Sequence, residues 1–134
     1  MKLPLVFPIL LLGLCLSGCI HSNRSTTIHG KVTDDSNQPI ANVPIIIAGL
    51  RKGTLYHFDK LEAVYTNRQG EYTITFVPSN QYRSLEVANQ FNTDSTLYHT
   101  YRHYSVTFNN QSTRDCCAAQ IGYTSQYDFI LLAR

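Results

Sequence analysis

The chain has 134 residues, room for one domain and not two. Its 11 Lys and Arg against 9 Asp and Glu form no basic stripe and no acidic run, which excludes a nucleic-acid partner and a solvating tail. Nine Tyr, no Trp and frequent Thr suit half-buried pleated surfaces, so the composition leans to β.

The N-terminus runs from Met1 and Lys2 into an apolar stretch, residues 3–16, and then Ser17-Gly18-Cys19. One positive charge, a short apolar region and small residues before a cut site make a secretory signal. The run is shorter than the about 20 residues a spanning helix needs, and Pro8 and Gly13 weaken it further as a permanent span. Leu16-Ser17-Gly18-Cys19 resembles the lipobox of bacterial lipoproteins. The resemblance implies cleavage after residue 18, acylation of Cys19, and anchoring to a membrane by its acyl chains. Ile20 occupies the position where an Asp would retain such a protein in the inner membrane. The expected location is therefore the periplasmic face of the outer membrane. Residues 19–25 read as lipidated cysteine and polar tether, and residues 26–134 as the domain. Removing Lys2 with the signal leaves the remainder close to neutral.

Seven strands are predicted in chain order. Ile28, Gly30 and Val32 alternate with His29, Lys31 and Thr33, the pattern of a half-buried strand. Asp34-Asp35-Ser36-Asn37 then makes a turn, closed by Pro39. Residues 43–48 form a β-branched run suited to a central strand, and residues 61–66 a third strand. Asn67-Arg68-Gln69-Gly70 is a tight turn, and Tyr72, Ile74 and Phe76 alternate up to Pro78. Leu85 and Val87 mark a fifth strand, Tyr104, Val106 and Phe108 a sixth, and residues 127–132 a seventh. No amphipathic helix is expected. The expected core is Ile28, Val32, Val43, Ile45, Ile47, Tyr72, Ile74, Phe76, Val87, Val106, Phe108, Phe129 and Leu131. Many short strands separated by turn chemistry favour a sandwich. Three connections are long: residues 50–60, 89–97 and 109–126.

Two stretches resemble the carboxypeptidase regulatory-like domains. Ile28-His29-Gly30-Lys31-Val32-Thr33-Asp34, followed by Pro39-Ile40-Ala41-Asn42-Val43-Pro44-Ile45, is similar to their opening strand, turn and second strand. Thr66-Asn67-Arg68-Gln69-Gly70-Glu71-Tyr72-Thr73-Ile74 is similar to their T-[DN]-x-x-G-x-[YF]-x-[IFL] segment. The resemblance covers roughly residues 26–77. It implies an all-β, seven-stranded, transthyretin-like Greek-key sandwich and carries no catalytic residues, since the family is mostly non-catalytic.

Cys116 and Cys117 are adjacent, about 3.8 Å apart at Cα, where an ordinary disulfide wants about 4.4 Å or more. They are a vicinal disulfide, a pair of thiols, a cross-link between chains, or part of a metal site. The first leads, because exported compartments are oxidising. His99, Tyr101 and His103 are expected on one face of a strand, with the two histidines roughly 13 Å apart, too far to share a metal easily. Gly70-Glu71-Tyr72-Thr73-Ile74 with Arg102-x-x-x-Val106 resembles intradiol dioxygenases, whose similar sandwich holds iron through two Tyr and two His. Ser105 stands where the second histidine of their H-x-H pair would be, so one ligand is missing. G-x-S-x-G and H-E-x-x-H are absent, and no cofactor, metal or catalytic residue is called for. Arg51, Tyr56, His57 and Phe58 combine charge with aromatic area in one connection, the favoured binding loop. The expectation is a membrane-anchored, non-catalytic binding or structural lipoprotein, with an envelope protein or carbohydrate as partner. The alternative is a small metal- or redox-dependent enzyme using Cys116, Cys117, His99 and His103.

Overall fold

Nine strands build two facing sheets in the computed structural model, which describes residues 23–134. In order they are β1 (Thr26–Asp34), β2 (Pro44–Arg51), β3 (Phe58–Tyr65), β4 (Glu71–Phe76), β5 (Tyr82–Asn89), β6 (Tyr101–Phe108), β7 (Gln111–Thr113), β8 (Ala118–Ala119) and β9 (Thr124–Ala133). One sheet runs β4-β1-β9-β6-β7 and the other β3-β2-β5-β8. All pairings are antiparallel except β1 with β9, which lie parallel at the centre of the first sheet. The architecture is an all-β sandwich. No described helix is long and apolar enough to cross a membrane.

The β1–β2 connection and the β3–β4 turn share one device. The Asp34 carboxylate accepts from the amides of Ser36 and Gln38, at 2.9 and 2.8 Å. The Asn67 side-chain carbonyl accepts from those of Gln69 and Glu71, at 3.0 and 2.9 Å. Gly70 follows at φ +73, in the left-handed region that favours glycine. Buried Thr66 joins the two: its hydroxyl donates to the Ile40 carbonyl at 2.7 Å and accepts from the Val43 amide at 2.9 Å. The two stretches quoted above for their resemblance therefore meet in space.

Tyr72 explains a second part of the same pattern. It lies opposite Gly30 in the β1–β4 register, and its buried hydroxyl reaches over that glycine to donate to the Tyr127 carbonyl at 2.7 Å. The β1–β9 ladder skips there, passing from His29↔Gln126 to Val32↔Phe129. Lys31 instead donates its amide to Asp128 at 2.8 Å. Burial, chiefly, holds the Tyr72 phenol above its ordinary range, with the Asp128 charge adding to it. Tyr72→Phe would strand a buried carbonyl, so we expect a loss of about 1–3 kcal/mol in urea denaturation. A loss within error would mean that Tyr127 finds another donor.

The core between the sheets contains Ile28, Val32, Val43, Ile45, Ile47, Tyr72, Val87, Val106, Phe129 and Leu131, as the sequence predicts, and adds Leu85, Phe91, Cys117, Ala119 and Tyr127. Ile74, Phe76 and Phe108 are corrections: they are only partly buried. Ile74 and Phe76 lie on β4, an edge strand, and Phe76 and Phe108 end their strands.

Other expectations are also corrected. Nine strands replace seven, because two short ones, β7 and β8, form inside residues 109–126, and β9 starts at Thr124. Residues 89–97 are not a plain loop. A 3-10 turn, Phe91–Thr93, leads into α1 (Ser95–Thr100), whose N-cap Asp94 accepts from the Leu97 amide at 3.0 Å. The connection after β2 spans only residues 52–57, since β2 reaches Arg51 and β3 begins at Phe58.

Candidate functional site

The strongest cluster of polar and aromatic side chains gathers where β2 turns into β3. Arg51 Nε meets Asp59 Oδ2 at 2.6 Å, the Tyr82 hydroxyl donates to the same oxygen at 2.9 Å, and His57 Nε2 lies 3.4 Å from Asp59 Oδ1. Gln81 Nε2 donates to the Tyr82 hydroxyl at 2.9 Å. The Arg51 hydrogen bond, then that of Tyr82, holds the Asp59 carboxyl below the usual carboxylate range. Burial, then Asp59, pushes the Tyr82 phenol up. Ion pairs this exposed stabilise a fold little; the network's effect is to fix the base of the loop. Lys52 donates its amide to the Gln81 carbonyl at 2.8 Å, and Arg83 donates to the Thr54 carbonyl at 3.2 Å. The held loop presents Leu55, Tyr56 and Phe58 to solvent.

Of the four residues proposed for a binding loop, Arg51 and His57 are thus tied to Asp59, Tyr56 stands free, and Phe58 belongs to β3. Sequence reasoning missed Asp59, Gln81, Tyr82 and Arg83. Only Asp59 is near the loop in sequence; the others arrive on the β4–β5 connection and on β5, through the Arg51↔Tyr82 pairing.

Arg24 was also missed. Assigned by sequence to the tether, it donates to the carbonyls of Pro78, Ser79 and Tyr82 at 3.1, 2.9 and 3.2 Å. Thr26 then donates to the Arg24 carbonyl at 2.9 Å and accepts from the Gly122 amide at 2.8 Å. The chain therefore enters the sandwich at a fixed point, beside the 52–57 loop. Cys19 and the lipobox lie outside the described residues.

The other candidates separate. His99 lies on α1 and not on a strand. A bulge between Tyr101 and His103 breaks the expected alternation: Tyr101 and Tyr104 both pack on the core, while His103 is exposed and stacks on Tyr104 at 5.7 Å. Tyr72, the residue resembling an iron ligand, has its hydroxyl committed to Tyr127. Among the described residues, no three His, Cys, Asp or Glu side chains gather as a metal site. The sulfur atoms of Cys116 and Cys117 are in contact, and the Cys117 carbonyl accepts from the Val87 amide at 2.9 Å, which holds the pair beside β5. His29, Lys31, Glu71, Thr73, Gln126 and Asp128 line an open groove on the outer face of the first sheet. Asp128 is occupied there by the Lys31 amide and by Gln126 at 2.8 Å.

No protein-family model matches the chain, and no curated protein does. Among solved structures, a streptococcal ancillary pilin is similar at a TM-score of 0.47 and 12% identity, over 82% of this chain and 33% of that one. The chain thus spans about a third of the pilin's length. The dioxygenase domain of a dioxygenase carbohydrate-binding fusion from Streptomyces sp. SirexAA-E is similar at 0.42 and 15% identity, over 84% and 82% of the two chains. A 3-chlorocatechol 1,2-dioxygenase from Rhodococcus opacus 1CP is similar at 0.41 and 12% identity, over 84% and 61%.

Proposed function

We infer that this protein is a lipid-anchored, non-catalytic binding or structural lipoprotein of the bacterial envelope, held through Cys19 on the periplasmic face of the outer membrane. Its partner is an envelope protein or carbohydrate close to that surface. The supporting observation is the clamp on Arg24, which sets the entry of the N-terminal segment next to the braced loop that carries Tyr56. Rigid sandwiches present loops for binding while their strands hold them, and a short tether restricts that loop to partners at the membrane. Cys19→Ala should abolish labelling by radioactive fatty acid and release the chain from the membrane fraction. Labelled acyl chains on the variant would overturn the anchor.

Cys116 and Cys117 belong to this reading as a vicinal disulfide, because the compartment is oxidising and no other cysteine follows Cys19. Protein taken from the envelope without reductant should weigh about 2 Da less than after reduction, the mass of the two hydrogens lost. Two rapidly titrating thiols in untreated protein would reject the bond.

A further inference from the structure

Most of the exposed large apolar side chains among the described residues are gathered at one end of the sandwich. Of the seven large hydrophobics exposed among the described residues, five are Leu55, Tyr56, Phe58, Val77 and Tyr123. The registers place them together. Leu50↔Phe58, Arg51↔Tyr82, Thr26↔Phe76 and Thr27↔Thr124 all lie at the end where the chain enters. The Arg24 bonds to Pro78, Ser79 and Tyr82 tie the two sheets there. Tyr56 is 86% exposed, Leu55 74%, Val77 68% and Tyr123 59%, values too high for side chains half tucked into a core. The remaining two, Tyr65 and Tyr98, lie at the other end, near Pro44 and Asp94.

Carboxylates, though not cations, follow the same division. The segments 52–58, 77–83 and 119–124 that form the entry end hold Lys52, Arg83 and His57 and no carboxylate. Neighbouring Asp59 is already taken by Arg51, Tyr82 and His57. The opposite end carries both signs, Asp34, Asp35 and Asp94 together with Arg68 and Arg134. An aromatic and aliphatic cluster rimmed by Lys52 and Arg83, neither of them in an ion pair among the described residues, fits the interfacial zone of a bilayer, where tyrosine rings settle and basic side chains meet anionic headgroups.

Geometry supplies the occupant. Three residues separate Cys19 from Asn23, so an acylated Cys19 holds Asn23 within about 15 Å of the bilayer surface even if that segment is fully extended. We propose that the entry end of the sandwich rests on the phospholipid headgroup layer, with Leu55, Tyr56, Val77 and Tyr123 in the interface and Lys52 and Arg83 against anionic phosphates. The proposal rests on the acylation of Cys19 and adds an orientation and a lipid class. The opposite end, with α1, then faces away from the membrane.

The chain has no Trp, so Tyr56→Trp gives a single reporter at an exposed site whose exchange leaves packing unchanged. Tyr65→Trp gives its counterpart at the far end of β3, seven residues and about 23 Å beyond Phe58. Each acylated full chain is reconstituted into phosphatidylethanolamine–phosphatidylglycerol vesicles containing lipid brominated near the headgroup, after intact mass has verified the acyl chains on Cys19. Emission from Tyr56→Trp should move to shorter wavelength and lose intensity, while Tyr65→Trp stays as in detergent-free buffer. Adding Lys52→Glu and Arg83→Glu should reverse the quenching of the first reporter. Neither reporter quenched, or both equally, on a chain whose mass shows acylation, overturns the orientation and leaves the anchor standing. Quenching indifferent to the charge reversals removes the anionic-lipid part. Absence of acyl mass on Cys19 defeats the anchor and this proposal with it.

Discussion

Gly30→Ala should destabilise the domain by about 3 kcal/mol or more, a large part of the roughly 5–15 kcal/mol available to a domain of this size. The cause is a close approach. A methyl group at residue 30 would stand 1.7 Å from the Tyr127 carbonyl oxygen, 2.7 Å from its carbon and 2.9 Å from the Tyr72 hydroxyl. Two of those atoms are backbone of β9, which cannot swing aside as a side chain tip could. The strand would have to retreat, and in retreating it would lose the bond that Tyr72 donates. Overpacking alone costs about 1–3 kcal/mol, and an orphaned buried carbonyl about 1–3 more. Urea denaturation compares the midpoints at unchanged slope. A loss under about 1 kcal/mol would show that β9 adjusts freely and that Gly30 is not what sets the β1–β9 spacing.

How much of this was readable from the residues depends on how local each cause is. The alternation of Ile28, Gly30 and Val32, and of Tyr72, Ile74 and Phe76, marks β1 and β4, because a strand with one buried face writes its period into its own sequence. The turns at Asp34 and Asn67 were equally legible, since each is stabilised by a side chain bonding amides two and four residues on. The parallel meeting of β1 with β9 was not, as its partners stand almost the whole domain apart. Nor was α1. Ser95-Thr96-Leu97-Tyr98-His99-Thr100 has no buried residue to create a period, and only the Asp94 cap announces it. β8 is two residues long, too short for any pattern.

The candidate site divides along the same line. Arg51, Tyr56, His57 and Phe58 drew notice because they are close in sequence and chemically distinctive. What orders them comes from elsewhere: Tyr82 and Arg83 on β5, Gln81 before it, and Arg24 ahead of β1. The loop was visible as a loop, while its brace existed only after folding. The expectation of His99, Tyr101 and His103 on one face failed for a related reason. A bulge is a property of two paired strands, and β6 carries one against β9 between Tyr101 and His103.

Phe129→Ala should be the most damaging of the simple core truncations, with a loss of about 3–5 kcal/mol. Phe129 is the largest side chain that is fully buried among the described residues. Its backbone sits between Val32 of β1 and Val106 of β6, in the middle of the first sheet. Its ring meets Tyr104 edge-on at 5.5 Å and lies near-parallel to Tyr127 at 6.5 Å. Truncation removes the buried area and the edge contact together, and leaves a void that the flanking strands cannot close without giving up their ladders. Phe76 provides the comparison. It has the same ring, but at the end of an edge strand and only partly buried. Phe76→Ala should therefore cost about half as much, since the transfer term scales with area removed from water and a site open to solvent leaves no sealed cavity. Parallel urea titrations of the two variants decide the matter. Equal losses would place Phe76 in the core after all, and a smaller loss at Phe129 than at Phe76 would contradict the packing described for the two sheets.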